Sequence, residues 1–106
     1  MKLLLDENFP QKVLLDFPEH TLLTVKKVGW KGKRNGELLE VMMNEGFDGL
    51  ITLDQNLPKQ QNLPKYRVKI FVLKAKNNRP STVQPLIEKL RSAMKNLSRN
   101  QVVDIE

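Results

Sequence analysis

The chain has 106 residues, 40% of them hydrophobic and 6% aromatic, a size suited to one domain (residues 1–106) with a modest core. It has no cysteine, which excludes disulfides and thiolate metal sites, and its single histidine argues against a histidine-built one. Any metal would be held by oxygen, which favours Mg²⁺ or Mn²⁺, and the net charge of +6 leans towards a polyanionic partner.

Lys2 to Leu5 reads as a short buried strand stopped by Asp6-Glu7-Asn8. Asn8 is a helix cap, and the spacing predicts a helix carrying Pro10 in its first turn, then Val13, Leu14 and Phe17, ended by Pro18. Thr21 to Val25 is a second apolar run with β-branched residues. "GWKGKRNG", Gly29 to Gly36, reads as a loop. A helix follows over about Gly36 to Asn44, with Leu38, Leu39, Met42 and Met43 as its apolar face and Gly46 beyond its end.

Gly49 to Leu53 is the third expected strand and Val68 to Leu73 the fourth, joined by a long loop. Ser81 and Gln84 form a capping-box pattern for the last helix, with Pro85 in its first turn. Val83, Leu86, Ile87, Leu90, Met94 and Leu97 follow helical spacing. Val102 to Ile105 reads as an edge strand or a tail. Alternation of this kind predicts an α/β fold, a small three-layer α/β/α arrangement around a mostly parallel sheet of about four strands.

No acidic residue occurs from Gln55 to Ile87, a span that holds Lys59, Lys65, Arg67, Lys69, Lys74, Lys76 and Arg79. A second acid-free cluster is Lys26, Lys27, Lys31, Lys33 and Arg34. Such runs are either solubilising surface or a polyanion-binding face. No apolar run approaches the roughly 20 residues that span a membrane. Met1 to Leu5 runs straight into Asp6-Glu7, too short for a signal peptide, so a cytoplasmic protein is expected.

In an open α/β sheet, ligands bind beyond the carboxyl ends of the strands. Asp6 and Glu7 follow the first expected strand and Asp54 the third. Glu37 sits in the first turn of the helix entered from the end of the second, with Glu40 one turn on. Like charges crowded at one edge repel, and a divalent cation would relieve them. That ion could orient and activate a phosphodiester, and the basic surroundings suit a nucleic-acid backbone. Each acid has a plainer role beside this one. Asp6 can cap a helix, Glu37 can favour a helix dipole, and Asp54 can be a turn residue. The same edge also fits a phosphoryl-accepting receiver domain. Such domains carry Ser or Thr after the fourth strand and Lys-Pro after the fifth. Here Lys74-Ala75 follows the fourth, and no further βα unit brings a Lys-Pro.

"LLLDENFP", "VGWKGKRNGELL", "FDGLITLDQNLPKQQNL" and "FVLKAKNNRP", in that order over residues 1 to 96, resemble a small PIN-like family grouped with toxin–antitoxin ribonucleases. The resemblance implies a PIN-like fold and Mg²⁺- or Mn²⁺-dependent hydrolysis of RNA or, alternatively, DNA. It also implies an antitoxin protein as partner, and often a homodimer, for which the helix from Ser81 is the candidate face. Asp6, Glu37 and Asp54 match the family's acids. Asn56 stands where the pattern would place a further acidic ligand, with Glu7, Asn8 and Glu40 as candidate helpers. Lys31, Lys33, Arg34, Lys59 and Arg79 are candidate phosphate contacts. Trp30 is either a base-stacking platform or an anchor for its loop. His20 reads as structural. The alternative is a binding module for nucleic acid or antitoxin, with a vestigial site.

Overall fold

A computed structural model describes residues 1–13, 15, 17–96 and 99–106. Strands β1 (Lys2–Leu5), β2 (Thr21–Thr24), β3 (Gly49–Thr52), β4 (Lys69–Leu73) and β5 (Val102–Ile105) alternate with helices α1 (Asn35–Asn44), α2 (Leu57–Gln60) and α3 (Pro80–Lys95). All five strands run parallel, in the order β2-β1-β3-β4-β5. Inner strands of a parallel sheet are covered on both faces and so need continuous apolar sequence. β1, β3 and β4 meet this demand with KLLL, GLIT and KIFVL. Gly49 is required by packing: a Cβ there would lie 2.9 Å from Leu3 Cδ2 and 3.2 Å from the Lys69 carbonyl.

Alternate residues of each strand enter different core layers. Leu3, Leu5, Ile51, Phe71 and Leu73 pack with Val83, Ile87, Leu90 and Met94 of α3 and with Phe9, Val13 and Phe17. Leu4, Leu50, Ile70 and Val72 pack with Leu38, Leu39 and Met42 of α1 and with Leu57, Leu63 and Tyr66. The result is the expected three layers. α1 ends in a Schellman turn: Phe47 N donates to the Met42 carbonyl at 2.9 Å and Gly46 N to that of Met43 at 3.3 Å, with Gly46 at φ 77°.

Several expectations change. The helix predicted after Asn8 does not form; the described residues of 7–20 make turns and bends. Phe9, Val13 and Phe17 still reach the core from that irregular path, so the helical spacing had another cause. Leu14 lies outside the described residues, as does Leu97. Ser81, expected to cap the last helix, is instead inside it. Arg79 is the N-cap of α3, Pro80 opens it, and Pro85 stands inside the helix. Val102–Ile105 is a full fifth strand on β4, so the sheet has five strands. The long loop after β3 contains α2 and a 3₁₀ turn, Leu63–Lys65. The apolar stripe of α3, Val83, Ile87, Leu90 and Met94, is buried in its own domain. No helix among the described residues is long and apolar enough to cross a membrane.

Candidate active site

The chain leaves β1 outward to β2, returns across β1 to β3, and then proceeds to β4 and β5. Its direction of travel thus reverses between β1 and β3. In open α/β sheets the crevice at such a switch, outside the carboxyl ends of the strands, is where ligands bind. Asp6 follows β1 and Asp54 follows β3, so both lie at this point.

One side chain joins them. Thr52, the last residue of β3, is fully buried. Its hydroxyl donates to Asp6 Oδ2 at 2.7 Å and accepts the Asp54 backbone N–H at 3.0 Å. Asp6 Oδ1 accepts the Glu7 N–H at 2.9 Å, and Asp6 N donates to the Ile51 carbonyl at 3.0 Å. Asp54 Oδ1 accepts the Asn56 N–H at 2.9 Å, closing an Asx turn into α2. Each carboxylate is therefore held by short local bonds and keeps acceptor capacity on its oxygens.

Neither carboxylate has an ion-pair partner among the described residues: the pairs there are Lys74–Asp104, Lys74–Glu106 and Arg91–Glu88, none of which includes Asp6 or Asp54. Two cavities flank the tie. One, of about 360 Å³, is lined by Asp6, Glu7, Lys26 and Lys31 together with apolar side chains. The other, of about 350 Å³, lies at the ends of β3 and β4 and is lined by Asn8, Asp54, Lys76, Asn77 and Asn78.

The remaining candidates divide. Gly32 N lies 3.4 Å from Glu7 Oε1, which brings the glycine-rich loop and Lys31 to the β1 end. Glu37 Oε1 accepts the Arg34 N–H at 3.3 Å, so it completes the N-terminus of α1. Arg34, the N-cap, has no acceptor with which to return that bond. Glu40 is exposed on α1, and Lys33 and Lys59 are exposed and line neither cavity. Asn56 contributes its backbone N–H at the tie. Arg79 is exposed beside Asn77, whose Oδ1 accepts its N–H at 3.0 Å.

Trp30 is not at the crevice. Its ring meets Phe47 edge-on at 5.4 Å, in a third cavity with Lys2 and Glu45 at the opposite edge of the sheet. It anchors the loop. His20 Nδ1 lies 3.0 Å from the Met1 amine, a local bond at that same edge.

The expected three-carboxylate metal site is not assembled: among the described residues no group of three or more His, Cys, Asp or Glu could hold an ion. Asp6 and Asp54 remain. Two carboxylates still suit Mg²⁺, which keeps several waters and takes one or two protein carboxylates plus phosphate oxygens. Asp6 and Asp54 are the residues that would hold it.

Thr52, Lys76, Asn77 and Asn78 were not singled out from the sequence as site residues. Thr52 carried a readable sign, a hydroxyl residue two before an Asp at a strand end, the ST-turn spacing. Asn77 and Asn78 follow β4 by the same edge rule that marked Asp6 and Asp54. No family model, curated protein or solved structure matches the chain.

Proposed function

We propose that the chain is a metal-dependent ribonuclease of PIN-like type, hydrolysing RNA phosphodiester bonds at the Asp6–Thr52–Asp54 crevice. The observation that carries this reading is the buried Thr52 hydroxyl. It bonds the Asp6 carboxylate and the Asp54 backbone N–H, and so links two aspartates whose carboxylates have no ion-pair partner among the described residues, at the switch point of a sheet, in a chain of net charge +6. A Mg²⁺ or Mn²⁺ ion there would supply Lewis-acid polarisation of the phosphodiester. The protein's own groups do the rest. Asp6 and Asp54 hold the ion's place, and Thr52 keeps both in register. Lys31 and Lys76, one in each flanking cavity, offset phosphate charge. The motif resemblance supports the further role of toxin in a toxin–antitoxin pair.

The test is cleavage of labelled single-stranded RNA by the wild-type protein and Asp54→Asn, with Mn²⁺ or with EDTA. Cleavage that requires both the ion and Asp54 is expected. Cleavage that survives EDTA and the substitution would sink the reading.

A second reading, a nucleic-acid-binding module with a vestigial site, is favoured by one observation: Glu37 does not join the two aspartates in a metal-holding group. It predicts salt-sensitive RNA binding in EDTA by wild type and Asp54→Asn alike, with no cleavage by either. The strand order β2-β1-β3-β4-β5 is also one of the common doubly wound orders used by phosphoacceptor domains. Lys74-Ala75 after β4 lacks the hydroxyl such a domain needs.

A further inference from the structure

The cavity beside Asp6 differs in kind from the one beside Asp54. Phe9, Pro10, Val13 and Leu15 form an apolar wall. Phe9 and Val13 are buried, whereas Pro10 and Leu15 are half-buried and present apolar surface to the opening. Gln11 and Glu7, both exposed, stand at the rim with an amide and a carboxylate. Lys26 and Lys31 complete the rim, exposed and without ion-pair partners among the described residues. The volume, about 360 Å³, is at the lower end of the range for small-molecule sites. The cavity beside Asp54 is lined by Asn8, Lys76, Asn77 and Asn78 and offers chiefly hydrogen-bond donors and acceptors.

A ligand that suits the lining of the first cavity has an apolar body of small-molecule size, hydrogen-bonding groups at its edge and an anionic group. A nucleobase with its phosphate has these properties. We infer that this cavity seats the base of the nucleotide on the β1–β2 side of the crevice. The Asn- and Lys-lined cavity receives the sugar-phosphate of the next nucleotide. The inference rests on the ribonuclease reading and adds to it a base subsite on one side only. A base in that position is gripped by apolar contact and by hydrogen bonds from Gln11 and Glu7, while Lys26 and Lys31 face its phosphate. The site would then require an unpaired strand, because a base in a duplex cannot enter a cavity beside the backbone.

The experiment uses adenosine 5′-monophosphate and ribose 5-phosphate in EDTA, followed by amide NMR shifts on the full chain, so that it does not depend on catalysis. Saturable shifts with the nucleotide at Phe9, Gln11, Leu15 and Lys31, absent with ribose 5-phosphate, are expected. Gln11→Trp, at an exposed position, should fill the cavity and abolish those shifts while leaving the rest of the spectrum in place. Lys31→Glu should weaken the nucleotide about tenfold. Equal shifts from both ligands would mean phosphate binding alone and would overturn the base subsite, as would shifts that map to Trp30 and Phe47. If RNA is not cleaved but the nucleotide still seats in this cavity, the subsite stands and the ribonuclease reading falls. If RNA is cleaved and the nucleotide leaves the cavity unperturbed, the subsite alone falls.

Discussion

Thr52 shows how one buried hydroxyl can decide the shape of a site. Its side chain is polar and fully buried, and it is satisfied on both sides, by Asp6 and by the Asp54 amide. Thr52→Val keeps the shape and removes the hydroxyl, leaving a carboxylate oxygen and an amide short of partners. The expected cost is about 1–3 kcal/mol in urea unfolding. A loss of about 10–100-fold in RNA cleavage should accompany it, as for other groups that orient ligands. Thr52→Ser restores the hydroxyl and should recover most of the activity; if valine cleaves as well as threonine, the tie has no positioning role. Gly46 is a second single-residue determinant. At φ 77° it closes α1 in a conformation that L side chains rarely adopt. Gly46→Ala should destabilise by about 1–2 kcal/mol, read as a lower urea midpoint with an unchanged slope.

At the level of elements, the helices whose apolar residues recur over several turns formed as their spacing implied. α3 buries Val83, Ile87, Leu90 and Met94 along one face. The segment from Asn8 to Phe17 has similar spacing but only a short reach between Pro10 and Pro18. Turns such as Phe9 N to the Asp6 carbonyl and Val13 N to that of Pro10 bury the same side chains without a helix. Spacing alone could not separate these outcomes, because both place Phe9, Val13 and Phe17 against α3. Within α3, Pro85 is exposed and lacks the N–H that would bond the Ser81 carbonyl. Pro85→Ala should therefore stabilise the protein, by roughly 1–3 kcal/mol; thermal unfolding at a lower temperature would refute it. β5 is tied to the loop before β4 by Gln101, whose Nε2 shares its two N–H groups among the carbonyls of Leu63, Tyr66 and Val68 at 2.7, 2.6 and 3.0 Å. Gln101→Ala should speed hydrogen exchange of amides in residues 63–68 ahead of the rest of the sheet, because the clamp is lost while the β-ladder remains.

At the scale of the whole molecule, charge that is continuous in sequence is divided by the fold. The acid-free span from Gln55 to Ile87 looks like one basic face when written as a line. In the structure Lys76 lines the crevice, whereas Lys65 and Arg67 precede β4 and lie at the opposite edge. Lys69 bonds the Asn100 carbonyl there. RNA affinity should fall with salt, with a slope of about 0.7 per neutralised phosphate on a single strand. Lys31→Glu with Lys76→Glu should lower both affinity and slope, while Lys65→Glu with Arg67→Glu should leave the slope nearly unchanged. Equal effects from the two pairs would place the nucleic acid elsewhere on the surface.

The sequence by itself determined the fold class and the positions of the main elements. Continuous apolar strands, the stripe of α3 and the glycine after α1 are local demands that few structures satisfy. It also determined that Asp6 and Asp54 meet at one edge, since residues after parallel strands emerge together. Only the tertiary structure decided which neighbours join them. Glu37 turned to its own helix, Trp30 crossed to the far edge against Phe47, and Thr52 became the link. Those outcomes depend on side-chain direction and on distances between residues remote in sequence, such as Thr52 and Asp6. Neither periodicity nor composition records them.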